Sequence, residues 1–166
     1  MNIILKELKQ HAGFTLFGAF AGILIMVFTQ KIPSNISYKM FYIFHPAHVF
    51  FSAMATASMF RLHQKKNMRN ILLKVFIVGF FGSIGIATLS DSLIPYLGEY
   101  LLNLPKRAAH IGFIEEWWLV NPLAVFGIIA AYFHPTTKLT HMIHVLISTW
   151  ASLFHIIMAF GDIVTA

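Results

Sequence analysis

Five stretches of the chain are apolar over most of their length, and short polar or basic segments separate them. They cover about residues 12–29, 39–60, 71–93, 118–133 and 139–160. A helix needs ~20 residues to cross a hydrocarbon core. The first, second, third and fifth stretches meet that length. The fourth is shorter, and Trp117 and Trp118 mark its interfacial end, a common place for tryptophan. The segment IPYLGEYLLNL after the third stretch predicts a short amphipathic interfacial helix over about 94–104. The expected architecture is all-α: a single domain over 1–166, a polytopic membrane bundle of about five transmembrane helices.

Composition agrees. Hydrophobic residues make up 58% of the 166 residues and charged residues 11%. Soluble domains carry about 25% charged residues. The formal charge is +6, but the basic residues fall in short runs between apolar stretches. That suits the positive-inside rule better than nucleic acid, which is not expected as a partner. The densest run is RLHQKKNMRN, with Arg61, Lys65, Lys66 and Arg69. It predicts an inner (plasma) membrane protein with that loop and the N-terminus cytoplasmic. The segment between the third and fourth stretches, with Asp91, Glu99, Glu115 and Glu116, would then be outside, as would the C-terminus. The first stretch lacks a small-residue cleavage site and reads as a retained span. There is no cysteine, which excludes disulfides, thiolate metal sites and cysteine nucleophiles.

Polar residues inside the apolar stretches are not scattered. In the second stretch His45, His48, Ser52, Thr56, Met59 and His63 step by three or four, and so share one helix face. In the fifth, His141, His144, Ser148, Ser152 and His155 do the same, with Asp162 beyond. The two stripes also share wording. HPAHVFFSAMAT at 45–56 and HMIHVLISTWAS at 141–152 agree at five of twelve positions. A Gly- and Ala-rich span precedes each: FGAFAGI at 17–23 and FGIIAAY at 126–132. From the loop charges the two copies run in opposite directions, which predicts an inverted two-helix pseudo-repeat, a plan common in secondary transporters. Gly18 and Gly22, with Gly79, Gly82 and Gly85, predict close helix packing.

The candidate chemistry lies in these stripes. Polar side chains are costly in hydrocarbon and normally face the bundle interior or a water-filled path. Ser52, Thr56, Ser148 and Ser152, with Asp91 at the end of the third stretch, form the expected polar pathway. Serines and threonines also glue helices together, and that is their default reading. The paired histidines suggest more. His45, His48, His141, His144 and His155 are the expected ligands for a divalent transition metal (Zn, Ni, Co, Cu or Fe) or stations for protons. Helix depth predicts an outer cluster of His45, His48 and His155, and an inner one of His11, His141, His144 and His63. Pro46 predicts either a kink beside His45 or simply the first turn of its helix. His63 and His134 read as ordinary loop residues, His110 stays open, and Glu115 and Glu116 read as helix-start residues.

The function expected first is a small membrane transporter or channel for metal ions or protons. A second is a b-type haem carrier, or an anchor subunit of a redox complex, with ligands from His48, His155, His63 and His144. A third is a metal-dependent lipid-modifying enzyme, unsupported by any hydrolase signature. Catalysis is not the favoured reading. A protomer this small leaves a thin wall around a polar path, so a homo-oligomer or a larger complex within the lipid bilayer is expected.

Overall fold

A computed structural model describes residues 3–29, 32–64, 70–105 and 107–160. The side chain of His11 and all of Lys65, Lys66, Arg69 and Asp162 lie outside the described residues. The described residues are all-helical: α1 (Ile3–Thr29), α2 (Ser34–Leu62), α3 (Ile71–Thr88), a π-helical turn (Leu89–Leu93), α4 (Ile94–Leu101), α5 (Gly112–Glu115), α6 (Trp117–Phe133) and α7 (Lys138–Phe160).

Two helices are long and apolar enough to cross a membrane. One is the 31-residue run Ile71–Leu101; the other is the 22-residue run Lys138–Ala159. The first holds a departure from expectation. The segment read as a separate interfacial helix over about 94–104 instead continues α3 through the π turn. Pro95 explains the join. It lacks the N–H that would bond the Asp91 carbonyl, and its ring crowds that carbonyl. The helix answers by widening, and the Ile94 N–H reaches back five residues to the Leu89 carbonyl.

Helix α2 is the centre of the bundle, packed against α7, α6 and α3. Its neighbours are close because the core is built of small residues. Val49, Ala53 and Ala57 of α2 meet Val75 and Ala87 of α3 and Val120, Ala124, Ile128 and Ala131 of α6. Gly127 of α6 lies against the Phe50 carbonyl of α2, and Gly18 of α1 against the Met142 carbonyl of α7. A side chain at either position would push the helices apart, so small residues are required there. Gly79 is wedged between Ala57 and Ile128, whereas Gly85 has open space and plays no such part.

Helix α2 starts at Ser34, well before the expected residue 39. His45 and His48 therefore lie near its middle rather than at its mouth, and Pro46 is inside the helix. Paired contacts show how α2 and α7 run. Phe41 meets His155, Phe44 meets Trp150, His48 meets His144, and Ser58 meets Thr136. Numbers rise along one helix as they fall along the other, so the two are antiparallel.

Polarity is inverted relative to a water-soluble domain. The exterior carries Phe17, Phe20, Leu72, Phe81, Trp117 and Trp118, all well exposed. The interior holds His45, His48, Ser52, Asp91, Glu99 and His155. Asp and Glu are almost never fully buried unless paired, and the pairing here defines the site.

Candidate functional site: a buried carboxylate–imidazole network

The π turn aims Asp91 inward, where its side chain is fully buried. Four donors reach it. His45 Nδ1 lies 3.0 Å from Oδ2 and His48 Nδ1 lies 2.5 Å from the same oxygen. The hydroxyls of Ser90 and Ser148 donate to Oδ1, at 2.7 and 3.2 Å. A carboxylate has about four lone-pair sites, so Asp91 is saturated. Ser152 adds a bond to the backbone, donating to the Ser90 carbonyl at 2.8 Å. The serine stripe of α7 therefore docks on the π turn, while the histidine stripe of α2 docks on the acid it carries.

The saturation assigns the tautomers. With the carboxylate accepting, both rings carry their proton on Nδ1. Their Nε2 atoms then offer lone pairs, and both atoms are buried without a partner. His144 of α7 joins here. Its ring stacks on His48 with centroids 4.5 Å apart and planes 29° from parallel. Both of its nitrogens are buried and unpartnered, as is the Ser52 hydroxyl. His141 follows, with its ring centroid 6.3 Å from His144.

A second set of pairs lies toward the α2 N-terminus. His155 Nδ1 bonds Glu99 Oε1 at 2.7 Å, with both residues buried. His110 Nδ1 bonds Glu115 Oε2 at 2.6 Å, and the other oxygen of Glu115 accepts the Ile111 N–H at 2.9 Å. Phe41, fully buried, separates these pairs. Its ring centroid lies 5.2, 5.0 and 5.2 Å from those of His45, His110 and His155. The connecting segment before α6 closes over this end, and Gly112 sits directly on the His45 ring. Burial holds His110 below the usual imidazole range against the pull of Glu115. Burial raises the Glu115 carboxyl, but the Ile111 N–H and His110 outweigh it and bring the group below its ordinary value. Burial pushes Glu116 up.

No family model, curated protein or solved structure matches this chain. The site is therefore read from its own geometry.

The expected residues separate as follows. His45, His48, Asp91 and Ser148 converge, with His144 stacked beside them. Ser152 borders them through the Ser90 carbonyl, and Ser52 is buried on the same stripe of α2. Thr56 packs toward Gly82 instead. His155 belongs to the Glu99 pair, and His141 bonds the Thr137 carbonyl through Nδ1. His63 is exposed at the end of α2, with Nδ1 2.8 Å from the Met59 carbonyl. The expected separation into outer and inner clusters does not hold, because His48 and His144 touch. Three contributors were not singled out from sequence: Ser90, Phe41 and Gly112. Ser90 had a signal, being next to an acid in a long apolar run. Phe41 is one phenylalanine of 17, and nothing local marks it.

For a metal ion the donor chemistry is present, since imidazoles held by carboxylates are a common arrangement around metals. Among the described residues, no three His, Asp or Glu side chains are grouped to hold an ion.

Proposed function

We propose that this chain is an integral membrane bundle whose interior is a proton relay, conducting protons between the two faces of a bilayer. One observation carries the reading. Asp91 fixes His45 and His48 with their Nε2 lone pairs turned to buried, unpartnered positions, and His144 lies against His48. Imidazole suits this task, since it takes a proton at one nitrogen and gives one up from the other near neutral pH. A proton arriving at Nε2 makes an imidazolium, which the Asp91 carboxylate stabilises through Nδ1–H. The next step passes a proton to Asp91 or across to His144. Single water molecules can bridge such gaps where polar partners line them.

The membrane assignment is supported by the two long apolar helices, the two shorter ones at Leu16–Ile25 and Trp117–Phe133, and the apolar exterior. On this reading there are five crossings: α1, α2, α3 with its extension, α6 and α7. Helix α2 falls short on apolarity because the other helices shield it from lipid, so its polar face needs no solvent. The basic loop after α2 faces the cytoplasm, with the N-terminus on that side of the inner membrane and the C-terminus outside. The inverted pseudo-repeat draws support from packing. α1 lies on α7 through Gly18, and α6 lies on α2 through Gly127, its counterpart in the Gly- and Ala-rich spans. A homo-oligomer would thicken the wall around the path.

The test is proton flux into liposomes containing the purified protein, driven by an imposed gradient and read with an internal pH dye. We expect wild type to exceed protein-free vesicles at least tenfold, and Asp91→Asn to fall back to their level. Wild-type flux equal to that of empty vesicles removes the reading.

A further inference from the structure

Both histidine phrases follow the pattern H-x-x-H-x-x-x-S. The first supplies His45, His48 and Ser52; the second supplies His141, His144 and Ser148. Helices α2 and α7 are antiparallel, and they meet where His48 stacks on His144, its own counterpart. The two phrases can be matched position by position about that contact. The match pairs His45 with His141, His48 with His144 and Ser52 with Ser148. Asp91 holds His45 and His48 from one phrase and Ser148 from the other. The counterpart set is His141, His144 and Ser52, and among the described residues no acid bonds His144 or Ser52. Both nitrogens of His144 and the hydroxyl of Ser52 are buried and unpartnered. Buried polar groups rarely stay unsatisfied in native proteins, and these three call for a partner.

Asp91 sits in a π turn, where one extra residue is absorbed into the helix. Such turns are frequent at functional sites, and a shift of their register rotates the side chains they carry. The His144 ring stacks on the face of the His48 ring, 4.5 Å between centroids, beside the ring edge that Asp91 bonds.

We propose that His144 and Ser52 form a second docking site for the Asp91 carboxylate, and that Asp91 alternates between the two sets. The proposal rests on the relay reading and names its moving part. The step balances. An imidazolium at His48 loses its Nδ1 proton to Asp91, so an N–H bond breaks, an O–H bond forms, and His48 becomes neutral. The neutral carboxylic acid then docks against His144 and gives it the proton, leaving a carboxylate and a second imidazolium. One proton has moved from the first set to the second. His48 is left with its proton on Nε2, so the site resets when the empty carboxylate returns and the His48 ring flips to present that N–H to it.

Solid-state NMR of the full protein in lipid bilayers, with ¹⁵N-labelled histidine, tests this. His144 resonances are assigned by their loss in His144→Gln. In the double variant His45→Gln, His48→Gln, Asp91 loses both imidazole partners in the first set. The His144 ring nitrogens are then expected to move to carboxylate-bonded positions, and adding Asp91→Asn is expected to reverse the move. Ser148→Ala keeps every histidine and removes a single bond. It should shift part of the His144 signal the same way, and it decides the matter if the double variant does not fold. Unmoved His144 resonances in a folded variant overturn the second site. Wild-type flux reports separately on the relay: flux with unmoved His144 removes this proposal alone, whereas a moved His144 without flux keeps the docking site and removes the relay.

Discussion

The His48 ring lies face to face on the His144 ring, with centroids 4.5 Å apart. The contact joins the two copies of the histidine phrase at their equivalent positions. It also places an imidazole held by an acid beside one that has none. The chemistry of the bundle centre follows from that asymmetry.

Asp91 is the residue on which the interior depends. Asp91→Asn keeps the size but replaces one acceptor oxygen with a donor amide facing other donors. Leaving buried partners unsatisfied costs about 1–3 kcal/mol each. We expect a lower thermal midpoint in detergent along with loss of flux, whereas Ser152→Ala lowers the midpoint slightly and preserves flux.

Gly112 sits on the His45 ring, and a Cβ there overlaps it. Gly112→Ala must displace the ring or the segment above it. Overpacking of this kind costs about 1–3 kcal/mol. The control is Gly85→Ala, where a Cβ meets nothing within 4 Å. Thermal unfolding should separate the two, and equal midpoints would show that the segment yields freely.

The segment before α6 should loosen in acid. His110 is held below its ordinary pKa by burial, so the unfolded segment binds protons more readily than the folded one as pH falls toward the usual imidazole range. Stability contributed by this group is present above that range and is lost below it. Glu115, also held low, acts in the same direction at more acid pH: its contribution is present above the ordinary carboxylate range and is lost as pH falls through the folded value. Hydrogen exchange of residues 107–116 should accelerate as pH drops from about 7 to about 5, after correction for intrinsic rates, because an unperturbed histidine titrates near 6.5. His110→Gln should flatten the imidazole part of that response.

His63 tests specificity among the histidines. It shares a helix face with His48 by spacing, yet it is exposed at the end of α2. His63→Ala should leave flux and thermal midpoint unchanged, because exposed substitutions usually shift stability by under about 0.5 kcal/mol. A loss of flux as large as that of His48→Gln would extend the relay to this end of the helix.

Much of the fold was legible because hydrophobic runs and helical spacing are local properties. The third and fifth runs, and the single polar face of each histidine stripe, follow from residue order alone. The junction after residue 88 was not legible as a continuation. Pro95 and Gly98 read as a break, whereas the helix absorbs the proline by opening a π turn. The depth of His45 was misread for a similar reason. Polar residues before position 39 obscured the start of α2, and the ring moved from the expected mouth to the middle of the helix.

The sequence by itself determined that two matching histidine and serine stripes would exist, because spacing of three and four puts side chains on one face whatever the helix packs against. It also determined that an acid would stand near the end of the third apolar run. Only the tertiary structure decided which stripe the acid serves. Asp91 can satisfy about four donors, and the packing of α2, α7 and the π turn gives it His45, His48 and Ser148 while leaving His144 and Ser52 without an acid. That choice depends on how three helices meet in space, which no local spacing encodes.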